Sequence, residues 1–365
     1  MRRAYIVLRS FVEVAVTASL CKMHSIYKKF LFILLFLFVI AQFFYSISQD
    51  FPIPKSQHSK KRIWKTIKVK KLFSLNENNK IYNPSIIKTD DLGNIYILDF
   101  GDLCIKKFSK EGEFIQKFGK GRGQGPGEFS NPTDFDINKK GEIWVCDSVA
   151  HRITVFDKKG TVKKTYRFKK VPYRIGSLSS DDFILISVSY TGLILERYNE
   201  KGEIEFSSPL PFPYEHKYKI KSPILIDGKL AIGRNDNLYF AFIRFGLLLS
   251  YSKNVDLRFF VKTMDRVPLP KLKEYKNVIL IAPKSSFTSL SISVSESKIY
   301  LLSSPASREK RTTVIDVYNA INGKYLFSFK IPQKGCIFFS INENFFYTIG
   351  EGIVTAWEYV TNGIK

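Results

Sequence analysis

Two stretches of the chain align without a gap at an offset of 48 residues: NPSIIKTDDLGNIYILDFGDLCIKKFSKEGEF (83–114) and NPTDFDINKKGEIWVCDSVAHRITVFDKKGTV (131–162). Turn-forming, apolar and acidic positions coincide, namely Pro84 with Pro132, Gly93 with Gly141, Asp99 with Asp147, Ile105 with Ile153, Phe108 with Phe156 and Gly112 with Gly160. Matches of this kind in constant register indicate two copies of one structural unit.

Each unit is rich in β-branched and aromatic residues and carries glycine turns, which predicts an antiparallel sheet of about four strands. Weaker units of the same type follow, and the sixth ends after three strands. The stretch Trp64–Leu75 (WKTIKVKKLFSL) precedes the first unit and has no partner of its own, so we expect it to complete the last sheet and remove both open edges. The sequence therefore predicts an all-β fold, a six-bladed β-propeller of four-stranded antiparallel blades over residues 64–365.

The second unit also resembles the NHL repeat, which has the pattern proline, hydrophobic strand, G-x-I-Y-V-A-D-S, N-H-R-I and V-F-D-x-x-G. The matching positions are Pro132, Gly141, Ile143–Ser148, Ala150–Ile153, Val155–Asp157 and Gly160. In the first unit Leu103 and Cys104 replace the His-Arg pair. The resemblance implies a six-bladed propeller like those of bacterial proteins that carry an N-terminal export signal.

The N-terminal region contains an apolar segment after Lys28 and Lys29. Phe30 to Ile47 is 18 residues long, about 27 Å of helix at about 1.5 Å per residue, which is barely enough to span a bilayer. We interpret 23–48 as a hydrophobic helix that is a signal peptide or a membrane anchor, with possible cleavage after Ser48. Residues 1–22 are then a doubtful extension and 49–63 a basic linker. The expected location is extracytoplasmic, either anchored in the cytoplasmic membrane or periplasmic or secreted after cleavage.

A glycine-rich stretch, FGKGRGQGPGEF (118–129), lies between the first two units. It lacks the G-K-[ST] of a phosphate-binding loop and the third glycine of G-x-G-x-x-G, because position 126 is proline. We interpret it as a joint in which glycines adopt positive φ and Phe129 and Pro132 fix the next strand. Arg122 and Gln124 at its tip remain available to a ligand.

Residues that suggest catalysis are few. His58, His151 and His216 are too scattered for a zinc site of the kind that NHL-like lyases contain. A calcium site of the lactonase type would need Asp134, Asp136, Asp182 and Asn235, but the first two align with Ile86 and Lys88. We therefore expect no catalytic residues, no metal and no cofactor. Asp99 and Asp147 are expected to accept hydrogen bonds from nearby backbone N–H groups, and Cys104, Cys146 and Cys336 to be small buried apolar residues.

The formal charge of +24 is compatible with a polyanionic partner. However, no compact run of five or more basic residues occurs, so a dispersed solubilising surface is the simpler interpretation. Export would exclude RNA as the usual partner and leave anionic lipid or glycan.

These observations favour a non-enzymatic, monomeric scaffold that binds a protein, peptide or glycan on one propeller face. The candidate binding residues lie at the blade joints: Arg122, Gln124, His151, Arg152, Tyr173 and Arg174. Of these, His151 and Arg152 fit a bracing role better than a binding role. The alternatives are a basic face that binds a polyanion and a lactonase- or lyase-type propeller with a channel metal. Residues 264–287 are expected to form a long loop between the fourth and fifth blades.

Overall fold

The structure is a computed structural model that describes residues 53–59, 61–189, 192–211, 227–267, 270, 272–275, 278–281, 286–295, 297–342 and 345–360. The described residues belong to the second of the two units of the chain, 52–365. The predicted extension at 1–22 and the predicted hydrophobic helix at 23–48 lie outside the described residues. Within the described ranges, no helix has the length and hydrophobicity that crossing a membrane requires.

Six four-stranded antiparallel sheets make up the second unit. In chain order the strands are β1 (Lys68–Leu75), β2 (Pro84–Thr89), β3 (Ile95–Asp99), β4 (Cys104–Phe108), β5 (Phe114–Phe118), β6 (Pro132–Ile137), β7 (Ile143–Asp147), β8 (Arg152–Phe156), β9 (Val162–Arg167), β10 (Val171–Ser177), β11 (Phe183–Ser189), β12 (Gly192–Tyr198), β13 (Ile204–Pro209), β14 (Gly228–Ile232), β15 (Leu238–Phe242), β16 (Leu247–Tyr251), β17 (Leu257–Lys262), β18 (Leu272–Tyr275), β19 (Val278–Ile281), β20 (Ser289–Ser295), β21 (Lys298–Ser303), β22 (Thr313–Asn319), β23 (Tyr325–Ile331), β24 (Cys336–Asn342), β25 (Phe345–Gly350) and β26 (Ile353–Val360). A short helix, α1 (Ser304–Lys310), follows β21, and a single 3-10 turn spans Glu77–Asn79.

The sheets form a closed ring of blades. Blades I to V are β2–β5, β6–β9, β10–β13, β14–β17 and β20–β23, and blade VI has the strand order β24, β25, β26, β1. The first strand of each blade packs beside the first strand of the next, from β2 through β6, β10, β14, β20 and β24 back to β2. These six inner strands surround the central channel, so the predicted six-bladed propeller is confirmed.

The hydrophobic core lies between the blades rather than at one centre. Six clusters of buried side chains each join two neighbouring blades, including the pair VI and I. The middle strands β3 and β7 are buried at all five of their residues, because a propeller covers both faces of every blade except at its edges. This double burial explains why the strands consist of nearly continuous β-branched and aromatic residues.

Blade VI is completed by the N-terminal strand, as the sequence predicts. β1 pairs with β26 in antiparallel register, with Leu75 opposite Val354 and Lys68 opposite Val360, and a register shift falls between Lys71 and Phe73. Hydrogen bonds between the two ends of the propeller therefore close the ring and cover the exposed edge of β26.

The expected long loop at 264–287 contains regular structure. β18 and β19 pair as a two-stranded antiparallel hairpin between blades IV and V. The prediction of a loop without secondary structure is thus incomplete. The prolines at 268 and 270 favour irregular chain, and this signal outweighs that of the short apolar stretch VILI, which forms a strand at 278–281.

The N-terminal strap, residues 53–65, lies against the outer strands of blades IV and V. Lys55 exchanges backbone hydrogen bonds with Phe260 and Lys262, and Ser328 does so with Ile63 and Lys65. Most of the strap falls in the stretch that the sequence assigns to a basic linker. Its described residues are thus attached to the propeller surface by backbone pairing.

Arg62 attaches the strap to two carboxylates at the edge of blade V. Its guanidinium binds Asp316 through two hydrogen bonds of 2.8 and 2.9 Å, and it also donates to Asp265 and to Ser303 Oγ. Burial raises the pKa of Asp265 to about 6, and neighbouring Asp316 adds to the rise while Arg62 opposes it. Two nearly buried carboxylates therefore depend on one arginine for their neutralisation.

We expect Arg62→Ala to lower the free energy of unfolding by about 3 kcal/mol at neutral pH, because it leaves two buried carboxylates without their cation. Denaturant titration of the purified protein measures the loss. Lys61→Ala, a neighbouring exposed cation, should change stability by no more than about 0.5 kcal/mol.

The loss should shrink as the pH falls. The folded-state pKa of Asp265 already lies above its ordinary value of 3.8 and rises further without Arg62, so the folded variant binds a proton that the unfolded chain releases. Between these two pKa values, stability increases as the pH is lowered. An equal loss at pH 8 and pH 5.5 would contradict this assignment.

Candidate functional site

The central channel widens into a cavity of about 450 Å³ at the end where the inner strands finish. Its wall comes from all six inner strands, and its rim from the turns that follow β2, β6, β10 and β14. Exposed residues such as Lys139 and Lys140 stand at the rim, so the cavity opens to solvent at this end. An exposed ion pair of 3.7 Å between Arg234 and Asp91 joins the rims of blades IV and I.

The polar residues of the wall connect neighbouring blades, beginning with blades I and II. Lys88 Nζ on β2 lies 3.0 Å from Asp136 Oδ1 and 3.8 Å from Asp134 Oδ1 on β6. Burial disfavours the charged amine, but the carboxylates of Asp136 and Asp134 more than offset it and raise the pKa of Lys88. Lys88 and Asp136 occupy equivalent positions of the two repeats, which align at an offset of 48 residues. The same position is therefore cationic in blade I and anionic in blade II.

The same two carboxylates reach blade III. Asp136 Oδ2 accepts hydrogen bonds from the backbone N–H and the hydroxyl of Ser177, at 2.7 and 2.9 Å. Asp134 accepts from the backbone N–H of Ile175 at 3.3 Å. Burial raises the pKa of Asp134, against the opposing effect of Lys88 and Arg174. Because both carboxylates are occupied by cations and N–H donors, neither is free to act as a base or a nucleophile in this arrangement.

Arg174 makes the corresponding connection from blade III to blade IV. Its guanidinium donates to Asp227 Oδ1 and to the backbone oxygen of Gly228, both at 2.8 Å, and it lies 4.0 Å from the centre of the Tyr173 ring. The Tyr173 hydroxyl donates to the other oxygen of Asp227 at 2.9 Å. Although burial opposes it, Asp227 keeps the pKa of Arg174 above its ordinary value.

Blades V and VI contribute an uncharged half of the wall. Ser291 Oγ on β20 donates to the backbone oxygen of Phe339 and accepts from its N–H, both at 3.3 Å. Ser293 Oγ accepts from the N–H of Ile341 at 3.1 Å. The residues of β20 and β24 that line the cavity are serines, aliphatic residues, two phenylalanines and an asparagine.

Lys229 on β14 lies between the charged and uncharged halves. Its ammonium is 4.3 Å from the centre of the Phe338 ring, on blade VI. Burial, together with the nearby positive charge of Arg174, lowers the pKa of Lys229 to about 7. Lys229 is not among the residues that the sequence predicts for a site, because the repeat is too weak in the fourth unit to align Lys229 with the wall positions of the first two.

The glycine joint has the predicted structure. Gly119, Gly121, Gly123 and Gly127 adopt positive φ, and Phe129 is fully buried against Phe156, with ring centres 6.0 Å apart. A Cβ at Gly119 would lie 2.5 Å from the Phe129 ring, so this position requires glycine sterically as well as conformationally.

Arg152 braces the joint from the next blade. It is 3% exposed, and its guanidinium donates to the backbone oxygens of Gln124, Gly125 and Glu128. His151 occupies the turn before β8 with φ of 49°, and Leu103 has the same φ at the equivalent turn of blade I. These hydrogen bonds support the bracing role that the sequence favours for Arg152.

Asp99 and Asp147 are the predicted backbone acceptors. Asp147 accepts from the N–H groups of Ser130, Asn131 and Ala150, and Asp99 makes the equivalent bonds in blade I to the N–H groups of Tyr82, Asn83 and Gly101. Each aspartate thus ties the end of a second strand to the chain that enters the first strand. This explains why Asp is common to both repeats.

The structure separates the candidate binding residues into three groups. Arg122 and Gln124 are exposed on the joint that leads into β6, whereas the cavity opens beyond the other end of β6. Arg152 lies under that joint, and His151 occupies the turn that precedes β8. Arg174 lines the channel wall, and both it and Tyr173 bind Asp227. The prediction that all six contribute to binding remains a prediction, although Arg174 is a wall residue and not an exposed joint residue.

The four residues considered for a calcium site are not grouped around one point. Asp182 binds Arg197 at 2.7 Å, Asn235 Oδ1 accepts from the N–H of Asn237, and Asp134 and Asp136 bind as described above. Among the residues that the structure describes, no three His, Cys, Asp or Glu side chains are placed to hold a metal ion together.

The three cysteines of the propeller are buried free thiols, as the sequence predicts. Burial raises the pKa of Cys104 and of Cys336 to about 12 and raises that of Cys146 as well. They are therefore protonated at neutral pH, which is characteristic of structural and not of reactive cysteines.

We expect Arg152→Ala to lower the free energy of unfolding by about 2 kcal/mol, because three backbone oxygens of the joint lose their donor. Arg122→Ala removes the same side chain from an exposed position of the same joint and should cost at most about 0.5 kcal/mol. Thermal and denaturant unfolding distinguish the two variants. Equal stability of Arg152→Ala and wild type would argue that Arg152 is kept for binding and not for bracing.

Comparison with protein families agrees with this architecture. Residues 66–207, which run from β1 through most of blade III, match the family model DUF5128, described as a 6-bladed beta-propeller. The human NHL repeat-containing protein 3 is 35% identical over 80 residues, which are 21% of this chain and 22% of that protein. The chain thus matches about a fifth of the length of this curated relative.

Two solved structures extend the similarity over most of the chain. A putative exported protein from Bacteroides fragilis has a TM-score of 0.55 at 10% identity, covering 85% of this chain and 99% of that one. Virginiamycin B lyase from Staphylococcus aureus has a TM-score of 0.51 at 14% identity, covering 80% of this chain and 100% of that one. At such identities the similarity concerns the fold alone. The chain is an all-β, six-bladed propeller with four-stranded antiparallel blades and repeats similar to NHL repeats.

Proposed function

We propose that this protein is a non-enzymatic binding scaffold that acts outside the cytoplasm and binds a protein, peptide or glycan at the open end of its channel. The observation that carries the proposal is the cavity of about 450 Å³, which is lined by hydroxyls, charged groups and aromatic rings from all six blades. Concave sites with a few convergent polar groups are the usual binding sites of proteins.

The chemistry of the wall supports binding more than catalysis. The wall carboxylates Asp134 and Asp136, and Asp227 behind Arg174, are engaged by Lys88, Arg174 or backbone N–H groups. A general base or nucleophile needs a carboxylate or other group that is free to receive a proton or attack a substrate. A lactonase- or lyase-type site and a polyanion-binding face are the alternatives to this proposal.

Export is supported by the apolar segment at 23–48 and the lysines that precede it. The segment would anchor the protein or be removed after Ser48. We regard the joint surface with Arg122 and Gln124 as the competing location for the partner, since it is exposed at the opposite end of β6.

Filling the cavity should abolish binding. Ala231→Phe on blade IV and Thr89→Phe on blade I each place a ring in the cavity from opposite sides, whereas Gln124→Phe places the same ring on the joint. Binding is measured with full-length protein, immobilised on beads for envelope extracts and applied to glycan arrays. We expect the two cavity variants to bind the partner at least about tenfold more weakly than wild type, a loss of about 1.4 kcal/mol in binding free energy.

The melting temperature of each variant shows whether the fold is intact. Loss of binding in Gln124→Phe, with both cavity variants unaffected, would place the partner on the joint. If wild type converts a bound compound to a product and the cavity variants do not, the enzymatic alternative is favoured.

A compartment-sensitive reporter fused after Lys365 tests the location. We expect the reporter to be active outside the cytoplasm, because the lysines before the apolar segment favour a cytoplasmic position for the N-terminal end of that segment. Sequencing the N-terminus of the mature protein then separates a soluble form that starts at Gln49 from an anchored form. A reporter that is active only in the cytoplasm would overturn the proposed location.

A further inference from the structure

Lys229 differs from the other cations of the channel wall in what surrounds its charge. Lys88 binds Asp136, and Arg174 binds Asp227. For Lys229, the described part of the chain provides no hydrogen-bond acceptor and no ion-pair partner, and its ammonium instead lies against the ring of Phe338. A cation–π contact compensates only part of the cost of removing an ammonium from water.

The hydroxyl of Ser293, on the neighbouring inner strand, also has a hydrogen-bond donor without a partner among the described residues. β20 packs beside β14 in the ring, and Ser293 on β20 lines the same cavity as Lys229. The Ser293 oxygen accepts from the N–H of Ile341, but within the described residues its own O–H has no protein acceptor. One ammonium and one hydroxyl donor therefore face a single water-accessible space.

We propose that this space binds the carboxylate group of a ligand, with Lys229 Nζ as its ion-pair partner and the Ser293 hydroxyl available to another polar group of the same ligand. The inference rests on the proposed binding function and specifies the chemistry of the group that is bound. An ammonium donates charge-assisted hydrogen bonds to carboxylate oxygens.

The surrounding charges favour a monoanion over a phosphate dianion. Asp134 and Asp227 face Lys229 from blades II and IV, and Asp136 lies beside them in its pair with Lys88. A second negative charge on the ligand would be repelled by these carboxylates. The lining residues of blades V and VI carry no charge, so the carboxylate fits on that side of Lys229.

Binding should take up a proton above neutral pH. Burial and Arg174 lower the pKa of Lys229 to about 7, while Asp227 and Asp134 act in the opposite direction. A bound carboxylate stabilises the charged amine and raises this pKa, so the complex holds a proton that the free protein has partly released. Affinity should therefore fall by about fivefold between pH 7 and pH 8, because the protonated fraction of the free site falls from about one half to about one tenth.

The test uses the full-length protein in mild detergent and isothermal titration calorimetry. The probes are D-glucuronate and benzoate, with D-glucose and benzamide as uncharged matches and inorganic phosphate, compared at pH 8, where it is mainly the dianion. We expect at least one carboxylate to bind more tightly than its uncharged match and than phosphate. Titrations at pH 8 in two buffers of different ionisation enthalpy should reveal proton uptake.

Three variants assign the effect to Lys229. Lys229→Met should weaken carboxylate binding by at least about tenfold without lowering the melting temperature, because it removes a poorly solvated charge. Lys201→Met removes an exposed lysine from the turn between β12 and β13, away from the cavity, and should leave binding unchanged. Lys229→Arg keeps a charge that does not titrate in this range, so it should bind the carboxylate with nearly equal affinity at pH 7 and pH 8.

Carboxylate affinity that is unchanged in Lys229→Met, or independent of pH in wild type, would overturn the inference. So would the absence of binding by either carboxylate at concentrations up to about 10 mM, where even a very weak site is detected. If the uncharged matches bind as well as the carboxylates and Ala231→Phe abolishes both, the binding function stands and only its proposed chemistry fails.

Discussion

The pairing of β1 with β26 is the constraint on which the rest of the propeller depends. It joins residues that are at least 279 positions apart, such as Leu75 and Val354, and so converts a row of sheets into a ring. Each of the six apolar clusters lies between two blades, and the cluster between blades VI and I is formed only when the ring closes. The entropy of closing so long a loop grows only slowly with length, so one strand's hydrogen bonds and apolar contacts are sufficient to hold it.

Ring closure also explains why the channel wall is polar. The free edges of six inner strands meet around one axis, and their backbone groups need partners that a single blade does not supply. Side chains of one blade therefore donate to or accept from the backbone of the next, as Asp136 does with Ser177 and Ser293 with Ile341. Polar residues in this wall are primarily structural, and a charged group there is not in itself evidence for catalysis.

The sequence predicted the parts of this architecture that local chemistry determines. The repeat revealed the blades, the equivalence of Asp99 and Asp147 revealed the backbone acceptors, and the glycines around Phe129 revealed the joint. The cavity was not predictable in the same way, since a ring brings together residues from strands that are far apart in sequence. The sequence predicts that Arg174 lies at a blade joint, because nothing in it indicates that Asp227 lies beside this residue. The weak repeat in the fourth unit likewise concealed Lys229.

Stability alone does not account for a lysine at position 229. A methionine would cover the Phe338 ring with a similar length of apolar chain and would not bring a charge into the wall. Lys88 and Arg174 each contribute an ion pair between blades, which offsets the cost of their burial, but Lys229 makes no such connection to blade V among the described residues. A ligand that supplies the missing negative charge would convert this cost into binding energy. Pairing with Lys229 would also favour carboxylates over neutral groups, so this lysine would determine both the affinity and the selectivity of the site.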